Sequence, residues 1–273
     1  MTLQIRPGFA YDTDASNYID AVEAADQADT PGIGAMETAV RYAINDFVIG
    51  CKQDNIWSAI QNSCILAGAK TLEGAFIDLK SCTKIITNYN NLFADGTYSG
   101  SNYTTGDYNR KTGLAGNGSK YLITNRQSSA DGKNDHHAYT FATTKATIDG
   151  AYIGINTGNS ADKHLEVYGS NIYSRNLNSV AKLWGAINLF GNGGYGMGRS
   201  NPSNYVVLLG TSFVGTESAT SNPPNSSIMQ VFAKAGIASN PRLAFYSLGS
   251  YLGLPTLDAR VSALITAIGA AIP

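Results

Sequence analysis

Charge is scarce in this sequence: Asp, Glu, Lys and Arg make up 14% of the 273 residues, and 19 basic residues nearly balance 20 acidic ones for a net charge of −1. That balance excludes a binder whose affinity rests on neutralising phosphates, so no nucleic-acid partner is expected. Disorder driven by charge excess is excluded as well, because 43% of the residues are hydrophobic. Histidine and cysteine are few, three of each. Cys51, Cys64 and Cys82 form no CxxC pair and lie far in sequence from His136, His137 and His164. A zinc signature is therefore missing, no metal or cofactor is expected, and the cysteines read as reduced core thiols. No run of 18 apolar residues occurs, and the opening MTLQIRPGFAYDTD has no apolar h-region. Neither a membrane span nor a secretory signal is expected.

What is present changes texture along the chain. The first 82 residues carry 5 basic against 11 acidic residues, and the remaining 191 carry 14 against 9, balances of −6 and +5. This asymmetry marks a boundary between Cys82 and Tyr103. The N-terminal part has helical periodicity. Tyr18, Ile19 and Val22 fall on one face after Asp14 or Ser16 as the cap. Met36, Val40, Ala43, Ile44, Phe47 and Val48 form a stronger stripe that Gly50 ends. A third helix is expected from Asp54, presenting Ile56, Trp57, Ile60 and Cys64, with Trp57 as a core anchor. TLEGAFIDLK fits a short helical turn or a strand.

Beyond Tyr103 the period becomes two. AYIGI (151–155), HLEVY (164–168), KLWGAINLF (182–190), YVVLL (205–209), SIMQVFA (227–233) and RLAFYSL (242–248) read as short strands separated by Gly, Asn, Ser and Pro clusters. Most of the tyrosines fall here, as half-exposed pleated faces would place them. The expected fold is mainly β with helical ends: an N-terminal helical anchoring region (1–82), a linker (83–102), an antiparallel jelly-roll β-sandwich (103–250) and a C-terminal helix (251–273). Thr256 would cap that helix with Asp258 in its first turn. Leu257, Val261, Leu264, Ile265, Ile268 and Ile272 then need a partner surface that periodicity does not choose.

Catalytic patterns are thin. Glycoside hydrolysis needs two carboxylates, and the region beyond residue 103 holds two glutamates, Glu166 and Glu217, with no companion acid at alternate strand positions. Glu166 could pair with Asp149 or Asp162, but reads as a solvated strand residue. The turn DGKND (131–135) lacks the ladder of a calcium loop, although Asp131, Asn134 and Asp135 are oxygen donors. GNGSK (116–120) and GNGGYGMG (191–198) depart from the phosphate-loop pattern and read as hairpin turns. No catalytic residue is assigned, and the chain is expected not to be an enzyme. The Tyr- and Asn-rich stretches 88–109 and 191–205 suit either sugar contacts or a subunit interface. They give the candidate binding residues Tyr103, Tyr108, Asn192, Tyr195, Asn204 and Tyr205.

Two stretches resemble a known group. AINDFVIGCKQDNIWSAIQNSCILAGAKTLEGAFIDL (43–79) followed by DYNRKTGLAGNGSKYLITNR (107–126) is similar to a recurrent family of bacteriophage proteins encoded among tail and virion genes. PRLAFYSLGSYLGLPTLDARVSALITAIGAAI (241–272) follows the same pattern. TGLAGNGSKYLIT and RLAFYSLG resemble the opening and closing strands of a concanavalin A-like (laminin G-like) jelly roll. The resemblance implies a virion structural protein of the tail, collar or fibre apparatus, made in the host cytoplasm and carried in the virion. Its implied partners are other virion proteins, further copies of itself as a homo-oligomer (a trimer), and a host surface glycan. Alternatives are a carbohydrate-binding module without catalysis, a capsid decoration protein, and a polysaccharide depolymerase using Glu166.

Overall fold

The computed structural model describes residues 10–84, 87–92, 98–99, 103–155, 158, 161–210 and 213–273. Half of the expected linker (83–102) lies outside the described residues, namely 85–86, 93–97 and 100–102, which take eight positions from the 88–109 cluster. The described half includes the backbone strands Thr87–Leu92 and Tyr98–Ser99.

Among the described residues there are four α-helices: α1 (Thr13–Asp29), α2 (Thr38–Gln53), α3 (Leu72–Ala75) and α4 (Leu254–Ala271). The strands are β1 (Ile60–Ile65), β2 (Thr87–Leu92), β3 (Tyr98–Ser99), β4 (Tyr108–Asn109), β5 (Gly113–Ala115), β6 (Lys120–Gln127), β7 (His136–Thr144), β8 (Gly150–Ile155) and β9 (Lys163–Tyr168). They continue as β10 (Asn171–Asn176), β11 (Lys182–Ala186), β12 (Gly193–Arg199), β13 (Asn204–Leu209), β14 (Phe213–Ser218), β15 (Ile228–Val231), β16 (Ala233–Lys234), β17 (Ile237–Ala238) and β18 (Arg242–Gly249). A front sheet runs β14-β13-β12-β7-β18-β5-β4, and β1 joins it beside β18. A back sheet runs β11-β10-β9-β8-β15-β6-β2-β3. Among the described residues pairing is antiparallel apart from one parallel bridge, Ala238 to Ala151. The two sheets make a β-sandwich with helices at both chain ends.

The helices form a third layer on the outer face of the front sheet. One core lies between them and that sheet, built from Val22, Val40, Ile44, Phe47, Tyr139, Phe245, Leu257, Val261 and Ile268 among others. A second core fills the space between the sheets. Strand β7 is consequently buried on both faces, sending Tyr139 and Phe141 into the first core and Ala138 and Ala142 into the second. The apolar stripe of α4 packs on α2 and on β12, β7 and β13 of the same chain, which supplies the partner surface its periodicity demands.

Several expectations are corrected. The segment expected as a third helix forms β1, paired with β18 from Ile65–Phe245 to Ile60–Gly249. Ile60 and Ile65 enter the first core and Cys64 the second; a strand buried on both sides lacks clean alternation and mimics helical spacing. Trp57 lies just before it, half-buried, its Nε1 donating to Asp14 at 3.0 Å and its ring under Lys80 Nζ at 3.9 Å. Helix α2 runs through Gly50, where the missing side chain admits the guanidinium of Arg260 to 2.6 Å of where a Cβ would stand. Asp12, rather than Asp14 or Ser16, caps α1 by accepting from Asp14 N at 3.0 Å. Gly253 precedes α4 in place of Thr256, with Pro255 in its first turn.

The glycine run 191–198 is largely strand β12 instead of a turn. Tyr195 and Met197 fill the inter-sheet core. Gly194 lets α4 approach, since a Cβ there would stand 2.3 Å from Asp258 Oδ1 and 2.7 Å from the Tyr139 ring.

Candidate functional site

The side chains that carry chemistry are mostly buried between layers and used to hold them together. Glu166, on the outward face of β9, is not a solvated strand residue: it is 8% exposed. Its Oε1 lies 3.2 Å from His164 Nε2, and its Oε2 pairs with Lys234 from the β16–β17 hairpin. Burial raises the Glu166 carboxyl, but the hydrogen bonds and charges of His164 and Lys234 outweigh that and hold it below the ordinary glutamate range. A general acid for glycoside hydrolysis needs a shift in the opposite direction. The two acids that could have partnered it are also engaged: Asp149 accepts from Gly169 N at 2.8 Å, and Asp162 pairs with Arg175 at 2.7 Å.

His136 and His137 open β7 and are buried. His136 Nδ1 lies 3.0 Å from Gly132 O and Nε2 2.5 Å from Asn176 Oδ1. Turning the Asn176 amide over would give the neutral ring one acceptor and one donor, and would relieve Asn176 Nδ2, which has no partner as drawn. His137 reaches Ser250 O at 2.6 Å and Ser247 Oγ at 2.8 Å. Burial pushes the His136 imidazole down to about 3 and that of His137 to about 4, so both rings are neutral struts at pH 7. The oxygens of the preceding turn already have protein donors: Asp131 takes Arg126 bidentately, Asn134 accepts from Ser221 Oγ and Asp135 from Tyr251 N. Among the described residues no group of three His, Cys, Asp or Glu side chains is placed to hold a metal ion. Cys51, Cys64 and Cys82 are free thiols, the first two buried; burial raises Cys51 to about 12.

The candidate binding residues do not converge. Tyr195 and Tyr205 are fully buried and Tyr103 nearly so, which corrects the expectation that their rings face a ligand. Tyr195 stacks on Tyr152 with ring centroids 4.3 Å apart and donates to Gly191 O at 2.6 Å. Tyr205 shares a hydrogen bond of 2.9 Å with Ser174, whose Oγ also takes the Trp184 Nε1 proton. Tyr103 donates to Lys120 O at 3.2 Å and packs on Phe232. A tyrosine fills the interior of a sandwich as long as its hydroxyl finds a partner, so tyrosine abundance here reports the core. Tyr108 is half-buried and donates to Ala69 O at 2.9 Å. Asn192 is exposed and accepts from Lys145 N, while Asn204 bonds within its own turn to Asn201. The antiparallel pairing of β12 with β13 puts Asn192 and Asn204 at opposite ends of the sandwich.

A different place has the form of a ligand site. Between β1 and the end of β6 lies a polar cleft of about 390 Å³, lined by Gln61, Asn62, Asp78, Asn125, Arg126 and Gln127, with Ser81, Thr124 and Ala130. Its wall is a bulge. Opposite β15, Ile123 pairs with Gln230 and Gln127 with Ile228, so three β6 residues face the single Met229. Asn125 takes φ 58° at the apex, a conformation asparagine tolerates better than most residues. Thr124 Oγ1 fixes the bulge by donating to Met229 O and accepting from Arg126 N. On the opposite side Asn62, 6% exposed, donates Nδ2 to Thr124 O at 3.2 Å, and its Oδ1 is buried with no hydrogen-bond partner. Sequence reasoning missed this site because Asn62 lay in the supposed third helix and the β6 bulge carries no glycine or proline signal.

No family model matches the chain, and no curated protein matches it. Among solved structures it is similar to a GH54 α-L-arabinofuranosidase (11% identity, 56% of this chain and 40% of that one, TM-score 0.41). It is also similar to the binding domain of botulinum neurotoxin serotype D (9% identity, 75% and 51%, TM-score 0.41). A third similarity is to a carbohydrate esterase of the Shiga toxin-encoding bacteriophage phi24B (10% identity, 61% and 100%, TM-score 0.28). The chain thus spans about 40% of the length of the arabinofuranosidase it matches. With the TM-scores of these three below 0.5, what this chain does is argued from its own residues.

Proposed function

We propose that this chain is a non-catalytic structural protein of a bacteriophage virion, belonging to the tail, collar or fibre apparatus and contacting host surface glycan through its sandwich. The observation that carries the reading is the use of its reactive side chains. Glu166, His136, His137 and Asp258 are each buried and tied to other parts of the fold, Glu166 to Lys234 of the β16–β17 hairpin and the others across layers or between neighbouring strands, as in a protein whose task is to hold shape. The resemblance to phage virion proteins expected from residues 43–79, 107–126 and 241–272 supplies the setting. On this reading the helical layer faces other virion proteins and the chain assembles with copies of itself. Mass spectrometry of gradient-purified particles from the phage that encodes it tests the proposal. A fixed copy number in particles is expected; abundance in the lysate with absence from particles overturns it.

A carbohydrate-binding module without a virion role is the second reading, favoured by the polar cleft at Asn62. Light scattering of the purified chain at two concentrations separates the two. A closed oligomer that survives dilution supports the virion component, and a monomer the module.

A further inference from the structure

We propose that the cleft between β1 and the β6 bulge is a saccharide subsite that takes one neutral, hydroxyl-bearing sugar unit. The inference rests on the reading above that the sandwich contacts glycan, and gives that contact an address.

The argument starts from what the cleft still has to offer. A buried amide oxygen without a donor costs on the order of 1–3 kcal/mol, and Asn62, a residue of the cleft lining, carries such an oxygen beneath the accessible surface. The group that relieves it must donate. Arg126 offers the opposite need. Asp131 takes its Nε and one Nη, and among the described residues no protein acceptor is bonded to its Nη1. A hydroxyl is donor and acceptor at once, so a ring carrying neighbouring hydroxyls meets both demands with one chemical group. The rim adds the exposed amide side chains of Gln61, whose Nε2 also donates to Ser58 O, and of Gln127, either of which can meet a further hydroxyl.

Charge selects the ligand class. Asp131 neutralises Arg126, and the Asp78 carboxylate lines the same cleft, where it accepts from Ser63 N, Lys80 N and Ser81 N. The wall therefore has no surplus cation for a phosphate, sulfate or uronate. The volume of about 390 Å³ falls within the usual range of small-ligand sites, about 300–1,000 Å³. None of the lining side chains is aromatic, so the ring is held by hydrogen bonds rather than stacking. Single-site binding should then be weak, and useful attachment would come from several copies acting together.

Saturation-transfer NMR on the intact chain tests this with methyl glycosides of glucose, galactose, mannose, rhamnose and N-acetylglucosamine, plus methyl glucuronide and inorganic phosphate. Transfer to at least one neutral glycoside is expected. It should fall by about fivefold or more in Asn62→Leu, which removes the unpaired oxygen at similar volume, consistent with the loss of one hydrogen bond. The exposed double variant Gln61→Ala/Gln127→Ala should weaken it too, and serves where Asn62→Leu lowers the melting temperature. Asn204→Ala, at a distant turn, should leave it unchanged. Neutral-sugar signals that persist in both cleft variants overturn the site while the glycan reading stands. Silence across all the glycosides, neutral and charged, overturns that reading and the site with it. Signals confined to glucuronide or phosphate overturn the charge argument and the proposed ligand class.

Discussion

The two cores of this protein are made differently. The one between helices and front sheet is mainly aliphatic, with Phe245 wedged between Phe47 at 5.6 Å and Tyr139 at 6.2 Å. The one between the sheets holds Tyr103, Tyr121, Tyr152, Tyr195, Tyr205 and Tyr246. Its edge carries the fully buried Arg199, whose guanidinium donates to Asn176 O at 2.9 Å and Ala219 O at 2.8 Å. The first interface is held mainly by non-directional burial, with the Tyr139–Asp258 hydrogen bond as a directed tie between sheet and α4. The second is pinned by directed hydrogen bonds that permit one register. The helical layer supplies bulk stability, while the sandwich interior supplies specificity of pairing.

This contrast makes its strongest forecast at Phe245. Phe245→Ala removes a fully buried ring that fills a three-ring contact, and should cost about 3–5 kcal/mol in urea unfolding. Melting of the helical layer before the sandwich in that variant would show that the two cores are less coupled than a shared β7 and β18 imply.

Acid should attack both cores, because His136 bonds across the sheets to Asn176 while His137 lies on the helix-facing side of β7 with Tyr139. His136 and His137 are held neutral, at about 3 and about 4, whereas an unfolded histidine titrates near 6.5. Depressed folded values mean that the stabilisation is complete above about pH 6.5 and is lost as the unfolded chain takes up protons on the way down. Between pH 7 and pH 5 this amounts to about 2 kcal/mol per histidine. Asp258 works against the trend, because burial raises its carboxyl despite the Tyr139 hydroxyl at 2.7 Å. Urea midpoints at the two pH values measure the slope. His137→Gln should roughly halve it, and an unchanged slope would show that the histidines do not cause it.

The same contrast explains what could be seen in the sequence. The stripes of α1, α2 and α4 were legible because each helix buries one face only, so periodicity maps directly onto burial. AYIGI, HLEVY, YVVLL and RLAFYSL were legible as β-branched and aromatic runs. Strand β7 (HHAYTFATT) was not, since burial on both faces removes the alternation, and β1 failed for the same reason. Strand β12 hid behind glycines that serve close approach instead of turning. The candidate site was illegible: its unpaired oxygen is defined by Thr124, a residue 62 positions away, meeting Asn62 across two sheets. Tyrosine-rich loops attracted attention on composition, and composition does not say which way a ring points.

A hydroxyl deletion in the directed core should cost less than a ring deletion in the other. Tyr205→Phe keeps the ring and leaves Ser174 Oγ with only the Trp184 donor, so about 1 kcal/mol is expected in the same urea assay. A cost equal to that of Phe245→Ala would mean that the hydrogen-bonded core carries the bulk stability, reversing the assignment made above.

The smallest effect belongs to the rim, where neither kind of core operates. Lys182 on β11 and Glu217 on β14 form a 2.9 Å pair across the exposed edges of the two sheets, with side chains 41% and 25% accessible. Water screens such a pair and two flexible side chains lose entropy to form it, so Lys182→Ala should shift stability by less than about 1 kcal/mol. That small difference should shrink further between 0.05 and 0.5 M salt, over which the screening length falls from roughly 14 to 4 Å. A loss above about 2 kcal/mol that persists in high salt would require the two edges to be clamped rather than merely adjacent. It would then move Lys182, with the Trp184 ring beside it at 5.7 Å, from the rim into the directed core.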